Sequence, residues 1–155
     1  MPEGDTIYRI ADVLRSSLLG ARIERALAQP RPGMRSVPDL ERIVGHLVVS
    51  VEARGKHLLI GFDNGLTLRT HLRMRGAWHR YRPGEPWKRP AGQASAVLET
   101  ASAVAVCFDA PEVELMTYGQ VTRHPQLTTL GPDLLSRAFD AEEAARRDYP
   151  HAFAV

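Results

Sequence analysis

Pro2 is followed by Glu3, and a small second residue usually permits removal of the initiator Met1. Proline then presents a free secondary amine. Such an amine attacks an electrophilic sugar carbon and forms an iminium ion, which acidifies the neighbouring C–H bond and opens a route to β-elimination. An α-amino group titrates near pH ~8, well below lysine, so more of it is neutral at pH 7. The Glu3 carboxyl beside it is suited to general acid or base work. Proline at position 2 also occurs for no chemical reason, so the pair needs support from elsewhere in the chain.

The elements that would carry these residues follow from hydrophobic spacing. Ile7, Ile10, Ala11, Leu14 and Leu18 fall on one face of a helix over residues 5–19. Asp5 or Thr6 is placed to cap it and Gly20 to end it, which sets Pro2, Glu3 and Gly4 just ahead of a helix N-terminus, an end that favours anions. Short strands are expected at 22–27, 48–53, 57–62, 66–70, 94–99, 103–109 and 113–117, with Asp63-Asn64-Gly65 as a hairpin turn. Residues 29–38 and 82–93 read as loops, and 39–44 as a helical turn. The fold class expected is mainly β with flanking helices: a two-layer antiparallel β-sandwich preceded by an N-terminal helix.

Composition narrows the partners. At 44% hydrophobic and 25% charged residues the chain is ordinary for a globular domain, and no run approaches the ~20 apolar residues of a membrane span. No basic-then-apolar leader opens it. The expectation is a cytoplasmic, nucleoid-associated protein with no membrane partner. The lone Cys107 lies in an apolar run and reads as a small buried hydrophobe; one cysteine supplies neither an internal disulfide nor a four-cysteine metal site. The net charge is only +2, but nine basic residues (Arg54, Lys56, Arg69, Arg73, Arg75, Arg80, Arg82, Lys88 and Arg89) face only Asp63 and Glu85 between positions 54 and 89. That segment suits phosphates, or equally a solvated charged face.

The opening Met1-Pro2-Glu3-Gly4-Asp5-Thr6, with the helix behind it, resembles the formamidopyrimidine-DNA glycosylase / endonuclease VIII family, and its endonuclease VIII branch more closely. Arg54-Gly55-Lys56-His57-Leu58-Leu59 resembles the family's strand-turn lysine motif. His71-Leu72-Arg73-Met74-Arg75-Gly76 resembles its DNA-entering loop, and Leu130-Gly131-Pro132-Asp133-Leu134-Leu135 the end of its first domain. The resemblance runs from residue 2 to about 147.

It implies a DNA glycosylase / AP lyase of base excision repair, acting on damaged double-stranded DNA by Schiff-base β/δ-elimination. Pro2 would attack C1′, Glu3 would protonate the ring oxygen, and Lys56 would hold a phosphate beside the lesion. Met74 would be the wedge that fills the place of an extruded nucleotide. Arg73 and Arg75 flank it, and His71 and Arg54 stand near the backbone, though Arg54 reads first as a surface charge. The histidines His57, His71 and His124 read as structural or phosphate-contacting, and no metal site is expected.

Two departures matter. Where the formamidopyrimidine branch adds an arginine and a phenylalanine to its wedge, this chain reads Asp109-Ala110-Pro111-Glu112-Val113-Glu114-Leu115, which favours oxidised pyrimidines over 8-oxoguanine. The chain also ends before the family's helix-two-turns-helix module and zinc finger, so no cofactor or metal is expected in it. Residues 1–135 would be the catalytic sandwich and 136–155 the start of a truncated helical region. The other reading is an impaired remnant that at most binds DNA or a partner.

Overall fold

The computed structural model describes residues 3–124 and Leu127, with side chains from Thr6 onward. Pro2, the Leu130–Leu135 segment, the expected boundary at 135 and the helical region 136–155 lie outside the described residues. Among those described, helix α1 spans Glu3–Leu18. Strands follow at Arg25–Ala28 (β1), Val48–Arg54 (β2), His57–Phe62 (β3), Leu66–His71 (β4), Ala77–Tyr81 (β5), Ala94–Glu99 (β6), Val104–Phe108 (β7) and Glu112–Thr117 (β8), then helix α2 at Tyr118–Arg123. They form two four-stranded antiparallel sheets, ordered β1-β6-β7-β5 and β2-β3-β4-β8. The expected helix-plus-sandwich architecture is the observed one.

Three local differences have physical causes. Helix α1 starts at Glu3, not Asp5, so Glu3 and Gly4 belong to its first turn. No proline falls between Glu3 and Leu18 to stop the helix from running back to Glu3. The single strand expected at 22–27 changes partners midway. The Ile23 amide donates to the His46 carbonyl, whereas the next amide, Glu24, donates to Glu99, so the ladder with β6 begins only there. Strand β5 was not expected at all. Its sequence Ala-Trp-His-Arg-Tyr buries Trp78 and Tyr81 but exposes Arg80, which breaks a strict two-residue alternation on this edge strand.

The main core lies between the sheets and beneath α1. Ile7, Ala11, Leu14 and Leu18 are buried as the helical spacing requires. They pack with Val51, Leu58, Ile60, Leu68 and Leu98. Arg15 reaches from α1 to the Val51 carbonyl through its Nε at 3.1 Å, which anchors the helix on β2. A second apolar layer covers the outer face of the first sheet, where Trp87 of the 82–93 loop stacks on Tyr81 and meets Phe108 edge-on. Cys107 is buried in the core, and burial, reinforced by Asp109, pushes its thiol pKa far up.

Leu14→Ala should therefore lower unfolding stability by about 2–5 kcal/mol, the range for truncating a fully buried leucine. Tyr8→Ala, on the exposed face of the same helix, should change it by less than about 0.5 kcal/mol. Urea unfolding of both variants checks the assignment of the buried face.

Candidate functional site

The register of the second sheet gathers the candidate residues at one end. Arg54 pairs with His57, His57 with His71, and His71 with Glu112, so one row crosses all four strands. Three connections leave the sheet beside this row. The first is the two-residue Gly55–Lys56 turn between β2 and β3. The second is the 72–76 loop that carries the chain from β4 to β5 in the other sheet. The third is the 109–111 crossover that brings it back from β7 to β8. Gly55 adopts φ 58, a conformation open to glycine at the first position of a tight hairpin. The turn holds Lys56 exposed to solvent.

The 72–76 loop is pinned at both feet. Leu72 is buried, and its carbonyl accepts from the Gly76 amide at 2.9 Å. A Cβ on Gly76 would stand 2.4 Å from that same oxygen, so the loop closes only with glycine there. At its tip Met74 is 94% exposed, a large apolar side chain with almost no protein around it. Arg73 and Arg75 are exposed on either side. Arg73 has φ 54, a left-handed conformation that is strained for a side chain of its size. Such conformations cost about 1–3 kcal/mol and persist only where surrounding contacts enforce them.

Residues 109–114 supply those contacts, and sequence reasoning missed them. Glu112 Oε2 accepts from Arg73 Nε at 2.9 Å and also from its terminal nitrogen. Its Oε1 accepts from Arg69 at 3.1 Å. Arg69, only 2% exposed, also pairs with Glu114 and donates to His57 Nδ1 at 3.1 Å. On the far side of the loop, Asp109 accepts from Arg31 at 2.8 Å and from Arg89 at 3.0 Å, and Arg89 donates to the Arg75 carbonyl at 3.1 Å. The alternation of Glu112 and Glu114 opposite Arg69 was a readable two-residue signal. Nothing local marks which distant cations they meet.

This network sets the charge states of its histidines. A guanidinium only donates, so His57 Nδ1 must carry its lone pair toward Arg69. Burial and the Arg69 charge lower the His57 pKa to about 4. His71 is lowered mainly by burial, partly offset by Glu112. Its ring lies 4.8 Å from that of His57, edge to face. His124 is lowered mainly by burial as well. Burial alone would raise the Glu112 carboxyl, but its hydrogen bonds from Arg73 and Arg69 outweigh burial and hold it below the usual range. His57 is thus a structural histidine, and His71 is partly buried between it and Glu112. Arg54 is half-buried, with its Nε enclosed, and so is not a plain surface charge. Of the expected nucleophile and its acid, Pro2 is outside the described residues and Glu3 lies at the start of α1.

The sequence matches the formamidopyrimidine-DNA glycosylase N-terminal domain over residues 1–117. The chain belongs to this family. Among relatives, the probable endonuclease 8 2 of Streptomyces coelicolor is 38% identical over 157 residues, spanning 98% of this chain and 54% of that protein. Endonuclease 8 of Salmonella paratyphi B is 34% identical over 154 residues, spanning 95% and 54%. The chain therefore spans about half the length of the curated relatives it matches. The fold is shared with formamidopyrimidine-DNA glycosylase of Lactococcus lactis bound non-covalently to DNA containing an AP site. That likeness has a TM-score of 0.66 at 18% identity and covers 82% of this chain and 50% of that one. A MutM complex with DNA containing carbocyclic 8-oxo-G shares it equally, with a TM-score of 0.66 at 18% identity over 83% and 50%. Among the described residues no helix is long and apolar enough to cross a membrane, and no cluster of three or more His, Cys, Asp or Glu side chains could hold a metal ion.

The lowered histidines give this family member a defined acid response. Above pH ~6.5 His57 is neutral whether the chain is folded or unfolded. As pH falls from there toward 4, the unfolded chain takes up a proton that the folded one resists, so stability declines across that window. Glu112 adds a loss that begins below its ordinary value of 4.5, because its folded pKa is depressed. His57→Gln keeps an acceptor for Arg69 and removes the titration. It should flatten the decline between pH 6.5 and 4 without abolishing it, since His71 and His124 are also lowered; thermal melts across that range measure this.

Proposed function

We propose that this chain is the catalytic part of a bifunctional DNA glycosylase / AP lyase of base excision repair, with oxidised pyrimidines as preferred lesions. One observation carries the reading. The cross-sheet row from Arg54 to Glu112 sends the Lys56 turn and the Met74 loop out of the same end of one sheet, in a chain of this family. An exposed cation beside an exposed apolar side chain between two arginines suits duplex DNA with one nucleotide turned out. Lys56 holds a phosphate, and Met74 occupies the vacated stack. The DNA-bound state of structurally similar enzymes supports the same partner.

In this reading the Pro2 nitrogen, free once Met1 is removed, attacks C1′. The glycosidic bond breaks with its electron pair going to the base, which takes a proton as it leaves. Glu3 protonates the ring oxygen as the sugar opens, leaving an iminium ion between Pro2 and C1′. Loss of the C2′ proton then expels the 3′ phosphate, and a second elimination expels the 5′ phosphate. The Asp109–Leu115 segment supplies no arginine or phenylalanine to complete a purine-type wedge, which supports pyrimidine lesions. Arg73 and Arg75 flank the opened stack, with His71 and Arg54 behind them.

Borohydride trapping on abasic duplex DNA tests the amine. Met1-free protein should form a covalent adduct, Pro2→Gly should form less, and a Met1-retaining form should form none, because its Pro2 nitrogen is an amide. Equal trapping by all three would refute the amine mechanism, and absence of trapping by the processed protein would favour a remnant that only binds. The 155-residue form should cleave a ready-made abasic site faster than it excises thymine glycol from a duplex, since an abasic nucleotide has no base to unstack. Its binding should also weaken with salt. Two neutralised phosphates, one at Lys56 and one at Arg75, imply about a 12-fold loss between ~50 and ~200 mM salt.

A further inference from the structure

We infer that Glu112 and Asp109 are positioning residues that hold the Met74 loop in its projecting shape, one from each side. The inference rests on the proposed role of that loop for its consequence in DNA, but the brace is a property of the free protein.

The loop has few contacts of its own to define it. Its tip is exposed, and Arg73 sits in a left-handed conformation that arginine does not choose unaided. Glu112 takes the Arg73 guanidinium through two nitrogens on one oxygen, while its other oxygen is fixed by the buried Arg69. The carboxylate cannot swing away with the loop, because Arg69 is itself held by Glu114 and His57. Asp109 acts at the other foot and at one remove. It orients Arg89, which donates to the backbone carbonyl of Arg75 and lies over the Phe108 ring at 5.7 Å. Asp109 is fixed in turn by Arg31, and its own φ of 53 is a conformation that aspartate tolerates better than most residues. The crossover and the first residue of β8 thus supply two acceptors, Asp109 and Glu112, that brace the loop from its two sides.

A braced loop opens rarely, and a protease needs an opened one. Trypsin cuts after arginine, so the Arg73–Met74 and Arg75–Gly76 bonds report the loop directly. Limited proteolysis of the whole chain should show these bonds resistant in the unsubstituted protein. Asp109→Asn and Arg89→Gln should each raise cutting after Arg75 by about tenfold, and Glu112→Gln should raise cutting after Arg73 similarly. Cutting after Arg25 and Arg42 should stay unchanged in all three. Arg89→Gln leaves the Arg69 cluster intact, so it tests the brace even where Glu112→Gln weakens the whole fold. A second arm uses duplex DNA with 2-aminopurine opposite a tetrahydrofuran abasic analogue. The fluorescence rise on binding should fall in each variant, and should fall no further when Met74→Ala is combined with it. Unchanged cutting at both loop bonds, or an equal rise at every arginine, overturns the brace. Absence of borohydride trapping alongside the expected proteolysis pattern would instead remove the proposed function and leave the brace standing.

Discussion

Arg69 carries a charge it cannot shed, and it lies almost wholly out of water on the outer face of the β2-β3-β4-β8 sheet. A buried guanidinium is tolerable only when its charge is paired, and removing one partner of such a group costs about 3–5 kcal/mol. Glu112, Glu114 and His57, one strand away on either side, engage its two terminal nitrogens, and its Nε alone is buried without a hydrogen bond among the described residues. The sheet register follows from this. A one-residue slip of β4 would turn Arg69 into the apolar core and Leu68 out to the carboxylates, so pairing of charge and burial of leucine enforce the same alignment. The row from Arg54 to Glu112 is a consequence of that alignment, and with it the common exit of the Lys56 turn and the Met74 loop.

Glu112 joins this buried arrangement to the exposed one. Its two oxygens serve different cations, Arg69 inside and Arg73 outside. An exposed ion pair by itself contributes little, because both side chains must be ordered and water screens them. Here one member is already immobilised by the interior, so less freedom is lost when Arg73 docks on it. That is why a loop of five residues with a fully exposed tip can still have a defined backbone.

Much of this was legible in the sequence, for reasons that also mark where reading failed. Helical spacing located α1, two-residue alternation and Asp63-Asn64-Gly65 located β3 and β4, and the arginines flanking Met74 argued correctly against burial. These signals are local. Strand β5 was lost because an edge strand needs only one or two buried residues, and Trp78 and Tyr81 are not at strict alternation. Helix α2 carried a usable signal that went unread: Thr117 and Gln120 form a capping box at its start. For Asp109 and Glu112 only the two-residue alternation of Glu112 with Glu114 was legible, since their partners Arg31, Arg69, Arg73 and Arg89 are brought to them by sheet pairing and crossovers. Pro2 was legible only as a chemical possibility, and it lies outside the described residues.

The same crossovers change what the basic segment means. Nine cations between positions 54 and 89 suggest a broad phosphate-binding surface when counted along the chain. Folded, Arg69 is consumed by Glu112 and Glu114, Arg73 is paired with Glu112, and Arg89 is paired with Asp109. Arg54 is half-buried, and Arg80 turns toward Ser17 on α1, away from the sheet end. The charge that the described residues present beside Met74 is therefore smaller than the count, with Arg75 exposed at the loop tip and Lys56 exposed on its turn. Under the proposed function a surface of that kind would position one stretch of backbone. Selectivity would then rest on which nucleotide yields to Met74, whose loop Asp109 and Glu112 hold in shape while offsetting the arginines around it.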